Sequence, residues 1–408
     1  MINRLPVLTP EQIASADPTD ELVIDGQSRG LYRLSGEGSR ALAELPTLDG
    51  PLELQPNIAS FYTITNYDAL STYSAAAVNA VVSLEGNQLQ LTPNANVSSC
   101  QLTIIQNGLP RTIDIPVATV EITGTYTQLA TPSANPKYGL TAAGEIDGQL
   151  YFIGADLMLR YDIETDTWSG NLTEPLTDNR LFSAGVVNNQ VIMAGGLRYN
   201  GGTINNKYLA TYLYDPASAQ WTATANLPQV QYGSGFTVYN DELWIVNGRD
   251  NRANAFKQLR VYQPDTASWT AKASPSHSLY FTAVTGHNGK LYAFGGTNGS
   301  TASTAFICYD IETDTWSTIA AQGPSARYGA AFVTHLDKLY LFGGSQAGSA
   351  SDFNDLWCYD PGTEEWTQLP SGGVPGGMTG AISTVTGIYV CGSYSGSGSP
   401  NKTLWKIT

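Results

Sequence analysis

The sequence predicts an all-β protein in which a ring of repeated four-stranded sheets follows a smaller β-rich module. The 408 residues include 41 glycines, 23 tyrosines and 8 tryptophans, and only 13% of the side chains are charged. Such a composition is typical of a long, turn-rich β chain of more than one domain. The nine letters YDIETDTWS stand at 161–169 and again at 309–317. Two unrelated segments would hardly share them, so the chain contains an internal repeat.

The repeat is a hairpin that ends in tryptophan. Two apolar segments precede each hairpin, as in RYGAAFVTH (327–335) and DKLYLFGG (337–344), so each period holds four short strands. A tryptophan in the wedge between two sheets buries roughly 200 Å², worth on the order of 5 kcal/mol gross, which explains its recurrence structurally. The tryptophans are Trp168, Trp221, Trp269, Trp316 and Trp366, at spacings of 47 to 53 residues.

A glycine pair, a tyrosine and a tryptophan follow one another at fixed spacing in these units. The pairs are Gly195-Gly196, Gly295-Gly296 and Gly343-Gly344. In this pattern residues 121–408 resemble the kelch repeat family, which implies a β-propeller. At about 48 residues per unit this region holds six blades. Three units depart from the glycine pair, with FIGAD (152–156), IVNGR (245–249) and YVCGS (389–393) in its place.

The last unit lacks its outermost strand. Its final letters, LWKIT (404–408), align with LWCYD (356–360), which a further strand follows. The segment YTQLATPS (126–133) parallels WTQLPS (366–371) and is expected to supply the missing strand, with Tyr126 in the place of the tryptophan. Such closure would remove a free sheet edge.

The first 120 residues lack the repeat pattern and differ from the rest of the chain in their sequence motifs. Residues 1–50 are interpreted as an attachment region, with TPEQ (9–12) as a short helix start and a hairpin at 21–35 that turns at Asp25-Gly26. Residues 51–120 alternate apolar and polar side chains over 60–117 and predict an immunoglobulin-like β-sandwich. The alanine run at 75–77 leaves a helix open as the alternative.

Two segments of this region carry a second resemblance. LPVLTPEQIASADPTDELVIDG (5–26) is similar to the attachment segments of bacteriophage tail-fibre and tail-tip proteins, and YTITNYDALSTYS (62–74) resembles the immunoglobulin-like modules of phage structural proteins. The resemblance implies a virion tail protein, assembled in the host cytoplasm, that contacts other tail proteins through residues 1–120; a homo-oligomer stays possible. Residues 1–21 hold no apolar run like a signal peptide, and no stretch approaches the roughly 20 apolar residues of a membrane helix.

Charge and cysteine content exclude several classes of function. The net charge of −15 argues against a nucleic-acid partner. The four cysteines lack the spacing of a metal site, so they are interpreted as buried thiols and no cofactor or metal is predicted. The kelch family includes copper oxidases resembling galactose oxidase, which need two histidines at one site. His287 and His335 follow innermost strands whereas His277 precedes one, so copper is not expected.

An enzyme of another kind stays as an alternative. Kelch proteins of bacteria include sialic acid epimerases, which would need an acid and a base near the mouth of the ring. Glu174, Asp178 and Asp250 fall in loops of the appropriate face. Because isolated loop carboxylates are usually only solvated, the sequence is interpreted as non-enzymatic.

The two faces of the ring are expected to differ in charge. If the innermost strands run downward, the connections into them and those after the glycine pairs form a top face, and the other hairpins form a bottom face. The bottom hairpins are rich in Asp and Glu, and the top loops are rich in Lys and Arg. Residues 1–120 are expected beneath the bottom face. The predicted ligand-binding residues of the top face are Arg180, Arg327, Tyr138, Tyr232, Tyr280, Tyr328, Arg198, Arg249 and Arg252.

These residue types favour an acidic glycan. Guanidinium groups grip carboxylate or phosphate through paired hydrogen bonds, and tyrosine rings offer flat apolar surface to sugars. Loops rich in Gly, Ser and Asn, at 196–208, 296–305 and 344–355, crown the same face. The expected partner is a host surface glycan or lipopolysaccharide. The rival interpretation is a structural virion protein whose propeller contacts only neighbouring proteins.

Overall fold

The chain divides into two compact units, Met1–Thr119 and Val120–Thr408. The structure, a computed structural model, describes residues 32–33, 43–44, 48–49, 60–64, 73–78, 80–93, 99–106, 109–116, 120–134, 140–172, 175–176, 178–200, 203–346, 352–372, 374, 376–394 and 401–408. The predicted helix start at 9–12 and most of the hairpin at 21–35 lie outside them. Within these ranges no helix has the length and apolar character needed to cross a membrane.

The first unit is a pair of small antiparallel sheets. Its strands are β1 (Tyr32–Arg33), β2 (Ala43–Glu44), β3 (Leu48–Asp49), β4 (Ser60–Ile64), β5 (Tyr73–Val78), β6 (Ala80–Glu85), β7 (Gln88–Pro93), β8 (Ser99–Gln106) and β9 (Leu109–Pro116). One sheet has the order β3-β4-β7-β6 and the other β5-β8-β9, while β1 pairs with β2. Leu89 and Leu91 from the first sheet and Leu102 and Ile104 from the second share one core. The alanine run lies in β5, so the helical alternative is wrong.

The second unit begins with β10 (Tyr126–Gln128) and continues as successive four-stranded antiparallel sheets. The first three blades are β11 (Thr141–Ile146), β12 (Gln149–Ile153), β13 (Met158–Asp162) and β14 (Thr167–Leu172); β16 (Ser183–Val187), β17 (Gln190–Ala194), β20 (Thr211–Asp215) and β21 (Gln220–Thr224); and β22 (Gly235–Tyr239), β23 (Glu242–Val246), β24 (Leu259–Gln263) and β25 (Ser268–Lys272). Three short strands, β15 (Asn179–Arg180), β18 (Leu197–Asn200) and β19 (Thr203–Lys207), form a separate sheet beside the second blade. A 3-10 turn, Pro264–Thr266, joins β24 to β25.

The remaining blades follow the same plan. They are β26 (Ala283–His287), β27 (Lys290–Phe294), β28 (Phe306–Asp310) and β29 (Thr315–Thr318); β30 (Ala331–His335), β31 (Lys338–Phe342), β32 (Leu356–Asp360) and β33 (Glu365–Leu369); and β34 (Met378–Thr384), β35 (Gly387–Tyr394) and β36 (Asn401–Ile407) together with β10. The first strands of successive blades lie against one another, and β34 returns to β11. The described part of residues 120–408 therefore forms a closed ring of six blades.

Neighbouring innermost strands approach so closely that some positions admit no side chain. A Cβ on Gly185 would lie 2.2 Å from Val238, and one on Gly286 would lie 2.5 Å from Tyr239. Both distances are too short for real atoms, so these glycines allow the blades to meet at the axis.

The last blade is completed by the strand that precedes the first. Tyr126 is paired with Ile407 and Gln128 with Trp405, and Thr408 exchanges backbone hydrogen bonds with Thr125 at 2.8 and 2.9 Å. The Tyr126 hydroxyl donates to the Pro370 carbonyl at 2.8 Å, across to the segment that leaves the fifth blade.

Three of the tryptophans, Trp168, Trp269 and Trp316, make the equivalent contact in other blades. The indole N–H of Trp168 donates to the carbonyl of Ala130 at 2.6 Å, and that of Trp316 donates to Ala273 at 2.7 Å. Each accepting carbonyl belongs to the segment that comes from the preceding blade. Tyrosine or tryptophan at this position therefore joins a blade to the blade that precedes it in the ring.

The repeated nine letters add a carboxylate to this junction. In the second copy Asp314 accepts hydrogen bonds from the Tyr309 hydroxyl at 2.6 Å and from the Ala273 amide at 2.8 Å. Asp166 does the same with Tyr161 and Ala130. Asp314 has a φ of 52°, a left-handed conformation that aspartate tolerates better than most residues. The tyrosine hydrogen bond, followed by the amide, lowers the pKa of Asp314.

A buried histidine anchors the start of the unit. His335 ends the innermost strand of the fifth blade and is fully buried. Its Nε2 donates to the Val120 carbonyl at 2.5 Å, and its Nδ1 lies 3.1 Å from the Ser383 hydroxyl. Burial lowers the pKa of His335, although the hydrogen bond to Val120 opposes that effect. The folded protein therefore favours neutral imidazole.

Deleting residues 121–133 should cause aggregation, because removal of β10 exposes the unpaired edge of β36. Size-exclusion chromatography and thermal melting would measure this. The matched Tyr126→Phe variant keeps the strand, should stay monomeric and should lose about 1 kcal/mol from the free energy of unfolding through the missing hydrogen bond. A monomeric deletion variant that melts like the parent would contradict the closing role of β10.

Stability should fall as the pH drops below about 6.5, because unfolded histidine takes up a proton there while buried His335 resists it. The sign follows from linkage: the unfolded state binds more protons, so acid favours unfolding by up to about 1.4 kcal/mol per pH unit for one such group. The free energy of unfolding at pH 8, 6.5 and 5.5 would be compared with that of His335→Asn. Because burial also lowers the pKa of His287, the variant His287→Asn would be measured in parallel to separate the contribution of that histidine. If the free energy of unfolding of His335→Asn fell as steeply with pH as that of the parent, the pH dependence would not come from His335.

Candidate functional site

A hoop of backbone hydrogen bonds fixes the top rim of the ring. Gly233 N–H donates to the Leu181 carbonyl at 2.8 Å, Phe281 to Gly233 at 2.7 Å, Gly329 to Phe281 at 2.8 Å, and Thr379 to Gly329 at 3.2 Å. Leu181, Gly233, Phe281 and Gly329 all have φ between 55° and 67°. Successive blades are thus joined residue by residue at the mouth of the ring, and the loops above have a rigid base.

The residue before each of the first four hoop positions carries a predicted site side chain; these residues are Arg180, Tyr232, Tyr280 and Tyr328. In the third, fourth and fifth blades this residue bridges to the loop that follows the second strand, and the pairs are Tyr232 with Arg249, Tyr280 with Thr297, and Tyr328 with Ser345. The glycine pair begins those loops. In the third blade Asn247 and Gly248 replace it with φ of 58° and 115°, close to the 68° and 98° of Gly295 and Gly296. The departure IVNGR therefore keeps the turn, because asparagine tolerates the left-handed conformation.

Arg327 is not available to a ligand, contrary to the sequence-based prediction. Its side chain is 1% exposed and forms a bidentate ion pair with Asp355 at 2.5 and 2.9 Å. The guanidinium also donates to the Gly343 carbonyl and lies 4.0 Å from the centre of the Phe353 ring. Burial raises the pKa of Asp355, but Arg327 outweighs it and the pKa lies below its ordinary value. This arginine ties two top loops together.

Two further predicted residues, Arg180 and Tyr328, are engaged by other side chains of the protein. Arg180 lies 3.6 Å from Asp178, and its strand β15 places it beside Arg198 on β18, which is half-buried. The half-buried Tyr328 stacks on Phe281 at 6.0 Å between ring centres. Tyr138 lies outside the described residues. Of the described residues in this group, Arg180 and Tyr328 are therefore engaged within the protein, while Arg198 is half-buried.

Arg249 and Tyr280 form the densest contact of the mouth. The Arg249 guanidinium lies 3.9 Å from the centre of the Tyr280 ring and donates to its hydroxyl at 2.5 Å. Tyr280 is 6% exposed and Tyr232 is 1% exposed, whereas Arg249 is only half-buried. Burial raises the pKa of Tyr232, and the nearby charge of Arg249 opposes that rise in part. The two tyrosines therefore position Arg249 instead of presenting flat ring surface.

A pocket opens beside this cluster. It has a volume of about 250 Å³ and is lined by Gln229, Val230, Asp250, Asn251, Arg252 and Phe256. Arg252 is exposed. Lys207, from the inserted hairpin β18–β19, donates to the Asn251 carbonyl and so braces the pocket loop. Sequence reasoning found Arg252 but missed Gln229 and Phe256, because an ordinary loop sequence carries no signal that its residues enclose a pocket.

The candidate acid and base groups do not form a reactive pair in the described residues. The Asp250 carboxylate accepts hydrogen bonds from its own loop, from the Arg252 amide at 2.8 Å and the Asn254 amide at 2.9 Å. Asp178 faces Arg180, and Glu174 lies outside the described ranges. Asp250 therefore shapes the pocket loop.

The described residues form no site suited to metal binding or to thiol chemistry. No group of three His, Cys, Asp or Glu side chains there is arranged to hold a metal ion. The prediction of buried thiols is confirmed, because Cys100, Cys308, Cys358 and Cys391 are all buried and none forms a disulfide with another described cysteine. Burial raises the pKa of Cys308 to about 11, which makes a reactive thiolate unfavourable at neutral pH.

The ring is a six-bladed β-propeller, and part of it matches a kelch family. Residues 233–406, somewhat less than half of the chain, match the family model described as the KLHDC2/KLHL20/DRC7 Kelch-repeats domain. The chain is 32% identical over 117 residues to Kelch-like protein 23 of Mus musculus, covering 28% of this chain and 20% of that protein. It is 27% identical over 145 residues to Kelch-like protein terF of Aspergillus terreus, covering 32% of this chain and 31% of that protein.

A solved structure shares the fold. The structure titled "Structure of YjhT" superposes with a TM-score of 0.59 and 14% sequence identity, covering 68% of this chain and 95% of that one. Identity at this level supports the fold alone. The chain matches only a fifth to a third of the length of the two curated relatives. The kelch resemblance is thus confirmed, and no activity follows from it.

Replacing Arg327 by Met should lower the free energy of unfolding by about 3–5 kcal/mol, because the Asp355 charge would stay largely buried without its partner. Chemical denaturation would measure the loss. The double variant Arg327→Met/Asp355→Asn removes the charge but keeps an acceptor for the Trp357 indole, which donates to Asp355 at 2.7 Å. It should be more stable than the single variant. Parent-like stability of Arg327→Met would contradict the structural role.

Proposed function

We propose that the protein is a non-enzymatic binding protein whose propeller takes up a host-surface glycan at the top face. The observation that carries the proposal is the pocket lined by Gln229, Asp250, Asn251, Arg252 and Phe256. One aromatic ring among amide, carboxylate and guanidinium groups suits a sugar, which presents an apolar face and a rim of hydroxyls. A volume of about 250 Å³ lies below the roughly 300–1,000 Å³ of sites for larger ligands and fits a single ring unit of a glycan.

Buried polar groups without partners support the same location. Four such atoms belong to the loops of the third blade and the start of the fourth, and none meets hydrogen-bond geometry with another described atom: Gln231 Oε1, Asn247 Oδ1, Arg249 Nε and Thr282 Oγ1. Each unsatisfied group costs about 1–3 kcal/mol. Native proteins keep few of them, and functional sites are one place where they persist. A small rearrangement on binding would satisfy several.

The setting is proposed to be a phage tail. The support is the resemblance of 5–26 and 62–74 to phage attachment and immunoglobulin-like segments. The sheet orders β3-β4-β7-β6 and β5-β8-β9 are those of strands A-B-E-D and C-F-G of a constant-type immunoglobulin sandwich. The strands from Leu48 to Pro116 are therefore proposed to form such a module, which adds β3 to the predicted range 51–120. Residues 1–120 are proposed to contact other tail proteins while the propeller binds the glycan.

The charge reversal Arg252→Glu should weaken binding of the parent's preferred bacterial surface polysaccharide at least tenfold in a glycan panel, because a repulsive carboxylate replaces an exposed cation of the pocket. Raising the salt from 0.1 to 1 M shortens the Debye length from about 10 to about 3 Å and should weaken parent binding as well.

The matched control is Glu312→Lys in an exposed hairpin of the bottom face, which should bind like the parent. Equal binding by both variants would contradict the top-face site and favour the scaffold role. Shortened chains or altered anomers after incubation would instead establish an enzyme.

A further inference from the structure

The loop around the pocket carries positive charge that the described protein does not neutralise. The cations Lys207, Arg249 and Arg252 all belong to or contact the segment that follows the second strand of the third blade. Lys207 donates to the carbonyl of Asn251, and the contacts of Arg249 are with Tyr280. Neither contact supplies a negative charge.

The nearby carboxylate is engaged elsewhere. Asp250 accepts two backbone hydrogen bonds from its own loop, and these hold it as a turn-forming residue. Three cations and one carboxylate leave a local excess of about two positive charges. The described ion pairs Arg180–Asp178 and Arg327–Asp355 show a different arrangement, because each of those mouth arginines has its own aspartate.

The tyrosines around Arg249 restrict its guanidinium. One nitrogen, Nη2, donates to the Tyr280 hydroxyl, and the group lies over that ring. The almost fully buried Tyr232 also lies close to this guanidinium, whose charge and hydrogen bonding lower the pKa of the Tyr232 hydroxyl against the effect of burial. A guanidinium fixed by neighbours loses little conformational entropy when it grips an anion, and its remaining edge can donate two parallel hydrogen bonds.

From these contacts we infer that the glycan carries an acidic group, a carboxylate or a phosphate. Arg252, which lines the pocket, and Arg249, which lies outside its lining but directly precedes the pocket residue Asp250, are proposed to bind it together. This inference rests on the proposed function and specifies the ligand class of the same pocket. The sugar ring would lie against Phe256 and the amides of Gln229 and Asn251. Tyr280 and Tyr232 act as positioning residues for Arg249.

Small probes test the inference on the full-length protein. Binding of glucose, glucuronic acid and glucose 6-phosphate would be measured by ligand-detected NMR titration at low salt. At least one of the two acidic sugars should bind at least tenfold more tightly than glucose. Whichever acidic sugar binds more tightly shows whether the site prefers a carboxylate or a phosphate. Arg249→Gln should reduce the affinity for that acid to the level of glucose, while Glu312→Lys keeps the preference.

A second variant covers the case in which Arg249→Gln melts early. Arg252→Gln changes an exposed side chain and should lower the affinity for the acidic sugar three- to tenfold without changing that for glucose. If glucose binds as tightly as both acids, or if both variants keep the acid preference, the inference is wrong and the glycan proposal stands. If the parent protein binds none of the three sugars, the acidic-group inference and the glycan proposal are both contradicted at this pocket.

Discussion

The close approach of the innermost strands at the axis is the constraint on which the rest of the propeller depends. Gly185 and Gly286 allow neighbouring blades to come together where a methyl group would collide, and the hoop from Leu181 to Thr379 then joins successive blades at the top rim. Farther out, the spacing between blades widens and the indole of Trp168 or Trp316 fills it. Small residues inside and large aromatic ones outside are thus two consequences of one wedge geometry.

The repeated parts of the fold could be predicted from the sequence because the same physical demand recurs in each blade. The hairpins with tryptophan and the glycine pairs belong to this class, and even the Asn247 exception follows from the conformation that the turn requires. The site could be predicted only in part. Arg249 and Arg327 look alike in sequence, yet Arg327 is paired with an aspartate 28 residues away whereas Arg249 is paired with a tyrosine. The loop conformations that decide those partners carry no periodic signal.

The mouth of the ring is asymmetric although the blades repeat. Around the fifth blade the Arg327–Asp355 pair and the Phe353 ring close the top loops together. Around the third blade the inserted hairpin with Lys207 braces a loop that stays open enough for a pocket. A regular scaffold therefore supports one distinct region, and the difference arises from the loops while the strands keep their register. This division between rigid strands and variable loops is common where binding sites are built on repeated folds.

The anchoring of the chain at Val120 has a mechanical consequence. A pulling force that enters the propeller from residue 119 first meets the hydrogen bond between His335 and Val120, next the bonds between Thr125 and Thr408, and then the ladder of β10 with β36. These contacts bear the load one after another, as in a zipper, so the rupture force is set by the strongest single step. The first five blades lie beyond that path and are spared until β10 has separated from the sixth.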